Sequence, residues 1–127
     1  MYIGIDLGTS GLKTILIDND QKILSVANVA LNIQSPKDGY NEQNPEDWIK
    51  ATDYCFKKLQ KDNPDAFQAT IAIGISGQMH GATLLDKHEK VIRPCILWND
   101  TRSFLECSEF ENQSFEVRKI TGNIAMP

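Results

Sequence analysis

Apolar residues crowd into short runs at the start of the chain, separated by polar turns. Tyr2-Ile3-Gly4-Ile5, Leu12 to Ile17 (with Ile15 and Ile17 on one face) and Lys22 to Leu31 predict three consecutive strands. Asp18-Asn19-Asp20, between the second and third, is a turn of residues that tolerate unusual backbone angles and bond their own backbone. Connections this short predict antiparallel neighbours. Residues 32–44 form a polar loop with Pro36 and Gly39. The period then changes. Trp48, Thr52, Cys55, Phe56 and Leu59 recur at spacings of three and four, the stripe of an amphipathic helix. Asn44 suits the N-cap and Pro45 the first helical position. Glu46 and Asp47 favour the positive end of the dipole, and Lys57, Lys58 and Lys61 the negative end. Asn63-Pro64 stops the helix.

Ala69 to Ser76 differs in character. Ile71, Ile73 and Ile75 alternate with Ala72 and Gly74 and no charge intervenes, which predicts a strand covered on both faces at the centre of an α/β sheet. Together these elements predict a βββαβ start. Thr83-Leu84-Leu85 and Val91 to Trp98 predict a hairpin around Asp86-Lys87-His88-Glu89-Lys90. Asp100 is placed to cap a helix through about Phe110, and Ser114 one through Ile120, stopped by Gly122. These last helices are short for a domain edge, so the end at Pro127 reads as a truncation.

Composition narrows the class. The 127 residues are 41% hydrophobic and 24% charged, with a net charge of −4, which excludes a disordered chain, a coiled coil and a disulfide miniprotein. The length suits a single domain. Mild acidity, with no basic stripe interleaved with aromatics, gives no reason to expect a nucleic-acid or anionic-membrane partner. Asp6 interrupts the first apolar run, which also lacks a basic region ahead of it, so no signal peptide is expected. No stretch reaches the ~20 apolar residues of a membrane span. Cys55, Cys95 and Cys107 form no CxxC pair and read as reduced thiols of a cytosolic protein. Composition leaves the oligomeric state open, a homodimer of the full-length protein included.

Three segments carry candidate chemistry. Asp6-Leu7-Gly8-Thr9-Ser10-Gly11 lies between two apolar strands. Gly8 and Gly11 permit positive φ and close backbone approach, so a tight turn can aim N–H groups and the Thr9 and Ser10 hydroxyls at one anion. Asp6, at the strand end, can hold hydrated Mg²⁺. These groups make a seat for the terminal phosphates of ATP. A P-loop is excluded because Leu12 separates Gly11 from Lys13 and a strand follows; GxGxxG is absent too. The alternative is a plain hairpin bend, although a carboxylate and two hydroxyls are more than a bend requires.

Gly74-Ile75-Ser76-Gly77-Gln78-Met79-His80-Gly81 follows the apolar strand, where α/β sheets bind ligands. Gln78 and His80 can bond sugar-like hydroxyls, and Met79 can pack on a carbon skeleton; the alternative is a turn with an incidental histidine. In Trp98-Asn99-Asp100-Thr101-Arg102, Trp98 offers a flat face to a carbohydrate and Asn99, Asp100 and Arg102 offer hydrogen bonds. The alternative is Asp100 as a cap and Arg102 as a surface charge. His80, His88 and Cys95 lack zinc-ligand spacing, and no GxSxG nucleophile is present. His88 reads as solvated and Cys55 as core.

These motifs resemble a known group. Asp6-Leu7-Gly8-Thr9-Ser10-Gly11 looks like the first phosphate loop of the sugar kinase, hsp70 and actin superfamily. The run Ile75 to Asp86, then Arg93-Pro94 and Ile96-Leu97-Trp98-Asn99-Asp100, resembles the FGGY carbohydrate kinases. So do Glu42-Gln43-Asn44-Pro45-Glu46-Asp47-Trp48 and Ile120-Thr121-Gly122-Asn123. The likeness spans essentially the whole chain, and Gln78-Met79-His80-Gly81 is similar to members that act on xylulose. It implies an α/β, ribonuclease H-like domain with a mixed sheet. Residues 1–127 would be an incomplete N-terminal kinase domain, with the C-terminal FGGY domain outside this chain. It also implies a cytoplasmic enzyme that uses ATP and Mg²⁺ to convert D-xylulose to D-xylulose 5-phosphate. Asp6 matches the aspartate that supports metal (through water) and phosphate, with Gly8, Thr9, Ser10 and Gly11 around the phosphates. Met79 and His80 match residues that touch the ketopentose, beside Gln78, Trp98 and Asp100. The general base and the adenosine pocket belong to the later domain, so these 127 residues alone are expected to be inactive. The alternatives are another FGGY sugar or polyol kinase, or a non-catalytic sugar- or phosphate-binding module.

Overall fold

A computed structural model describes residues 1–113 and 115–127. The expected cap at Ser114 lies outside the described residues.

The three apolar runs form β1 (Tyr2–Leu7), β2 (Gly11–Ile17) and β3 (Ile23–Ala30). They pair antiparallel, as the short turns require. Asp18 Oδ1 accepts from the N–H groups of Asp20 and Lys22 at 2.9 Å each, and Gln21 takes the left-handed backbone of the turn (φ 64°). After a two-residue strand β4 (Glu42–Gln43) comes α1 (Pro45–Asp62), then α2 (Pro64–Gln68) and β5 (Ala72–Ser76). β5 runs parallel to β1, giving a mixed four-stranded sheet in the order β3-β2-β1-β5. β6 (Cys95–Ile96) pairs with β4, and α3 (Phe104–Gln113) and α4 (Phe115–Thr121) follow.

The core lies between one sheet face and α1. Period two puts Ile3, Ile5, Leu12, Leu16 and Ala27 on that face, and period 3.6 brings Ala51, Cys55 and Leu59 against them. Thr14, fully buried among them, donates to the Ala27 carbonyl at 3.4 Å. Burial pushes the Cys55 thiol up, which suits an inert core cysteine. Ile15 and Ile17 do share a face, but it is the half-buried one opposite α1. Asn44 caps α1 as expected, its Oδ1 accepting from the Glu46 N–H at 3.1 Å. Asn44→Ala is expected to cost about 1 kcal/mol, read as a lower urea midpoint at unchanged m-value.

Several expectations are corrected. β1 continues through Asp6, because that residue completes ladders with Lys13 on one side and Ser76 on the other. Gly8 and Gly11 do not use positive φ; the left-handed glycines are Gly39 and Gly122. Gly11 serves close approach instead, since a Cβ there would lie 2.9 Å from the Val29 carbonyl oxygen. Asn63-Pro64 ends α1 but also starts α2, for proline fits a first helical turn as well as it stops a helix. The strand expected over Ala69 to Ser76 is shorter, lies at the sheet edge and is exposed. Ile73 and Ile75 continue the core face across β1, but α1 lies over β2 and β3 and leaves them 50% and 73% exposed. The hairpin around Asp86–Lys90 closes through a single Leu85–Val91 bridge, and only Cys95–Ile96 of the expected Val91–Trp98 strand is ladder-paired. α3 starts at Phe104, so Asp100 is not its cap. Among the described residues no helix is long and apolar enough to cross a membrane.

Candidate functional site

The glycine loop is the β1–β2 hairpin turn, closed by the Gly8 N–H to the Gly11 carbonyl at 3.0 Å. The Ser10 side chain is exposed, while its carbonyl accepts the Leu31 N–H at 3.0 Å. Asp6 enters the loop from the sheet face opposite α1. Its carboxylate is exposed and takes part in no hydrogen bond or ion pair with the described residues. Lys13 and Ser76 are its partners in strand register and share its face. A lone free carboxylate fits Mg²⁺, which keeps several waters and takes its remaining ligands from phosphate oxygens. Among the described residues no cluster of three or more His, Cys, Asp or Glu side chains is placed to hold a metal.

Three distant segments converge on Thr9. Its carbonyl accepts the Gln43 side-chain amide at 2.7 Å, and Gln43 is itself held by the Trp48 indole N–H at 3.1 Å. Its hydroxyl accepts from Gln78 Nε2 at 3.2 Å and from Trp98 Nε1 at 2.9 Å. The loop after β5 therefore touches the glycine loop directly, through residues 69 positions apart.

Beyond Thr9 opens a cleft of about 850 Å³. Met79, His80, Trp98 and Asp100 all line it, together with Ile96, Asn99, Asn123, Ile124 and Met126. Four of the five residues proposed for sugar thus border one space, and Gln78 sits at the junction with the glycine loop. Met79 and Trp98 are 66% and 54% exposed, so their apolar surface is free to pack on a ligand. His80 holds a left-handed backbone (φ 55°), a conformation common at functional turns and tolerated by histidine. Gly81 lets this loop press against β6: a Cβ there would lie 2.9 Å from Cys95 Sγ. Cys95 itself is buried, and burial pushes its thiol up, away from the thiolate a nucleophile needs. His88 lies exposed in its turn, as expected.

Asp100 faces inward and is 2% exposed. Its carboxylate accepts the Asn41 N–H at 2.6 Å and grips Arg102 with both oxygens, Oδ1 at 2.8 Å from Nε and Oδ2 at 2.6 Å from Nη2. Arg102 also reaches Glu42 at 2.7 Å, and Arg93 reaches the same Glu42 oxygen at 2.6 Å. The Arg102 guanidinium stacks 3.9 Å from the Tyr40 ring centroid. Arg102 is therefore a half-buried clamp, which rules out the alternative reading of it as a free surface charge. The guanidinium and two N–H donors hold the Asp100 carboxyl down at about 2. Gln43, Glu42, Asn41 and Tyr40 were missed as site-supporting residues. The signals in the sequence were their place in a polar loop just ahead of a well-capped helix and, for Glu42 and Gln43, the resemblance of the run Glu42 to Trp48 to the FGGY kinases.

A mixed sheet whose first hairpin turn meets an open cleft beside the adjoining parallel strand is the architecture of sugar kinases of the actin, hsp70 and ribonuclease H-like type. The model for "FGGY family of carbohydrate kinases, N-terminal domain" matches residues 1–127, and the chain belongs to that family. Its curated relatives include the xylulose kinases of Escherichia coli (strain K12), 46% identical over 127 residues, and Lactococcus lactis subsp. lactis (strain IL1403), 40% identical over 125 residues. These matches cover 100% and 98% of this chain but 26% and 25% of the relatives, so the chain spans about a quarter of their length. Among solved structures, a "xyloylose kinase" from Brucella ovis superposes with a TM-score of 0.94 at 49% identity, over 99% of this chain and 26% of that one. Plasmodium falciparum glycerol kinase with ADP, at 23% identity and a TM-score of 0.83 over 94% of this chain and 25% of that one, shares the fold.

Proposed function

We propose that this chain supplies the phosphate loop and the sugar-binding wall of a kinase that transfers the γ-phosphoryl group of ATP to D-xylulose, giving D-xylulose 5-phosphate. The observation that carries the reading is the junction at Thr9. A loop suited to phosphate and a cleft suited to a sugar share one hydrogen-bonded point, so donor and acceptor would be seated side by side. The names of the relatives support xylulose as the sugar.

Phosphoryl transfer depends chiefly on positioning and on electrostatic stabilisation of the moving group. Here the Gly8–Gly11 turn, with the Thr9 and Ser10 hydroxyls, would position the terminal phosphates, and Asp6 would hold Mg²⁺ through water. Bound there, the ion would supply positive charge against the phosphate oxygens. Met79 and the Trp98 ring would pack on the sugar skeleton, while His80 and Gln78 would bond its hydroxyls. Asp100 would act from behind this wall, through the Arg102 clamp. The general base and adenosine pocket are assigned to parts of the protein beyond these residues.

The test is ADP release by the full-length protein against a panel of ketopentoses, hexoses and polyols. D-xylulose is expected to give the highest kcat/KM, at least tenfold above the next sugar. A preference for glycerol or another sugar moves the assignment within the family. Binding of MgATP or sugar without turnover favours a non-catalytic module. His80→Ala is expected to weaken xylulose binding in calorimetry more than MgATP binding.

A further inference from the structure

The hydrogen bonds at Thr9 determine more than proximity. A threonine hydroxyl has two acceptor positions and one proton. The Trp98 indole N–H occupies one acceptor position at 2.9 Å and the Gln78 amide occupies the other at 3.2 Å. An indole can only donate, so Trp98 cannot take the Thr9 proton. With both acceptor positions filled, the hydroxyl can meet a third group only as a donor, and it donates to no group among the described residues. The Gln43 amide on the Thr9 carbonyl, 2.7 Å away, keeps the residue from turning.

We propose that Trp98 and Gln78 are positioning residues that set the Thr9 hydroxyl as a one-way hydrogen-bond donor, aimed at an oxygen of the transferring phosphoryl group. This rests on the kinase reading above and adds a coupling to it. Trp98 lines the sugar cleft while its N–H edge holds the phosphate loop. A sugar packed on the ring steadies the group that orients Thr9, so one side chain links sugar seating to phosphate seating.

The experiment uses the full-length protein with MgATP and D-xylulose. Trp98→Phe keeps an aromatic face on the cleft but removes the N–H, together with part of the indole ring. It is expected to lower kcat about three- to tenfold, the range for one neutral hydrogen bond, separately from any rise in KM for D-xylulose that the smaller ring brings. Gln78→Met, of similar length without the donor, is expected to show the same kcat loss. Thr9→Val is expected to lower kcat by about 100-fold, and adding Trp98→Phe to it to have no further effect. A Trp98→Phe enzyme with raised KM and unchanged kcat, or one whose kcat loss multiplies in full onto Thr9→Val, overturns the proposal. A second measurement needs no turnover. The Trp98 indole N–H resonance, identified by its disappearance in Trp98→Phe, is expected to move upfield in Thr9→Val. If it stays in place the inference is wrong, whatever the activity. A wild-type protein that phosphorylates no sugar refutes the kinase reading instead, and the resonance still decides the Thr9–Trp98 bond.

Discussion

Asparagine in place of Asp6 is expected to lower kcat of the full-length protein by on the order of 10³-fold with its melting temperature unchanged. The two halves of that expectation have separate grounds. Stability should hold because the carboxylate is exposed on the sheet face opposite the core and bonds to no described side chain or backbone group. Surface changes of this kind usually stay within about 0.5 kcal/mol. Asparagine also preserves the shape and the β1 ladder with Lys13 and Ser76. Activity should collapse because the proposed metal seat then loses its charged side chain just where charge accumulates during transfer. KM for D-xylulose should move little, since Asp6 does not line the sugar cleft. Steady-state kinetics at saturating MgATP, with thermal melting alongside, checks this. A variant with wild-type kcat would remove Asp6 from the phosphate site. One that melts well below the wild type would make it a structural residue.

Arg102→Leu has the largest effect expected on stability, a loss of about 3–5 kcal/mol. Arg102 is the shared partner of two acids, 2.6 Å from Asp100 and 2.7 Å from Glu42, whose side chains are 2% and 12% exposed. Removing the guanidinium leaves both carboxylates poorly hydrated and facing each other. Arg93 still reaches Glu42, but not Asp100. The pH dependence should change as well. In the wild type, Asp100 is lowered from 3.8 to about 2. A depressed folded-state value means stability that is fully present above about pH 4 and lost as pH falls through about 2, amounting to about 2 kcal/mol. Without Arg102 the Asp100 carboxyl should rise above its unfolded value, so mild acid should stabilise the variant where it leaves the wild type unchanged. Urea unfolding at pH 7, 5 and 3 separates the two. A loss under 1 kcal/mol with no altered acid profile would mean that water already hydrates this cluster. Because Asp100, Asn99 and Trp98 border the same cleft, the variant should also loosen the sugar wall.

The legible parts of the molecule were those governed by near neighbours. Alternation marked β1 to β3 within a residue or two of their ends, and Asn44-Pro45 marked the start of α1. The glycine turn and the loop after β5 stood out because backbone freedom and polar side chains were concentrated there. Errors came where a local signal had two uses. Pro64 both ends α1 and begins α2, and an apolar edge strand has the same pattern as a central one. Gly11 is required by the nearness of Val29, a contact 18 positions away that no local pattern records.

From the order of its residues alone, this chain was determined to be α/β with a three-strand start, a capped helix and two glycine-bearing loops. Those features depend on period, capping and turn chemistry within a few residues. Tertiary structure alone decided that Gln78 and Trp98 meet Thr9 across 69 and 89 positions, and that Glu42 and Asp100 share Arg102. It also decided that β5 lies at the sheet edge. Burial and long-range hydrogen bonds depend on which surfaces pack together, and spacing along the chain does not contain that.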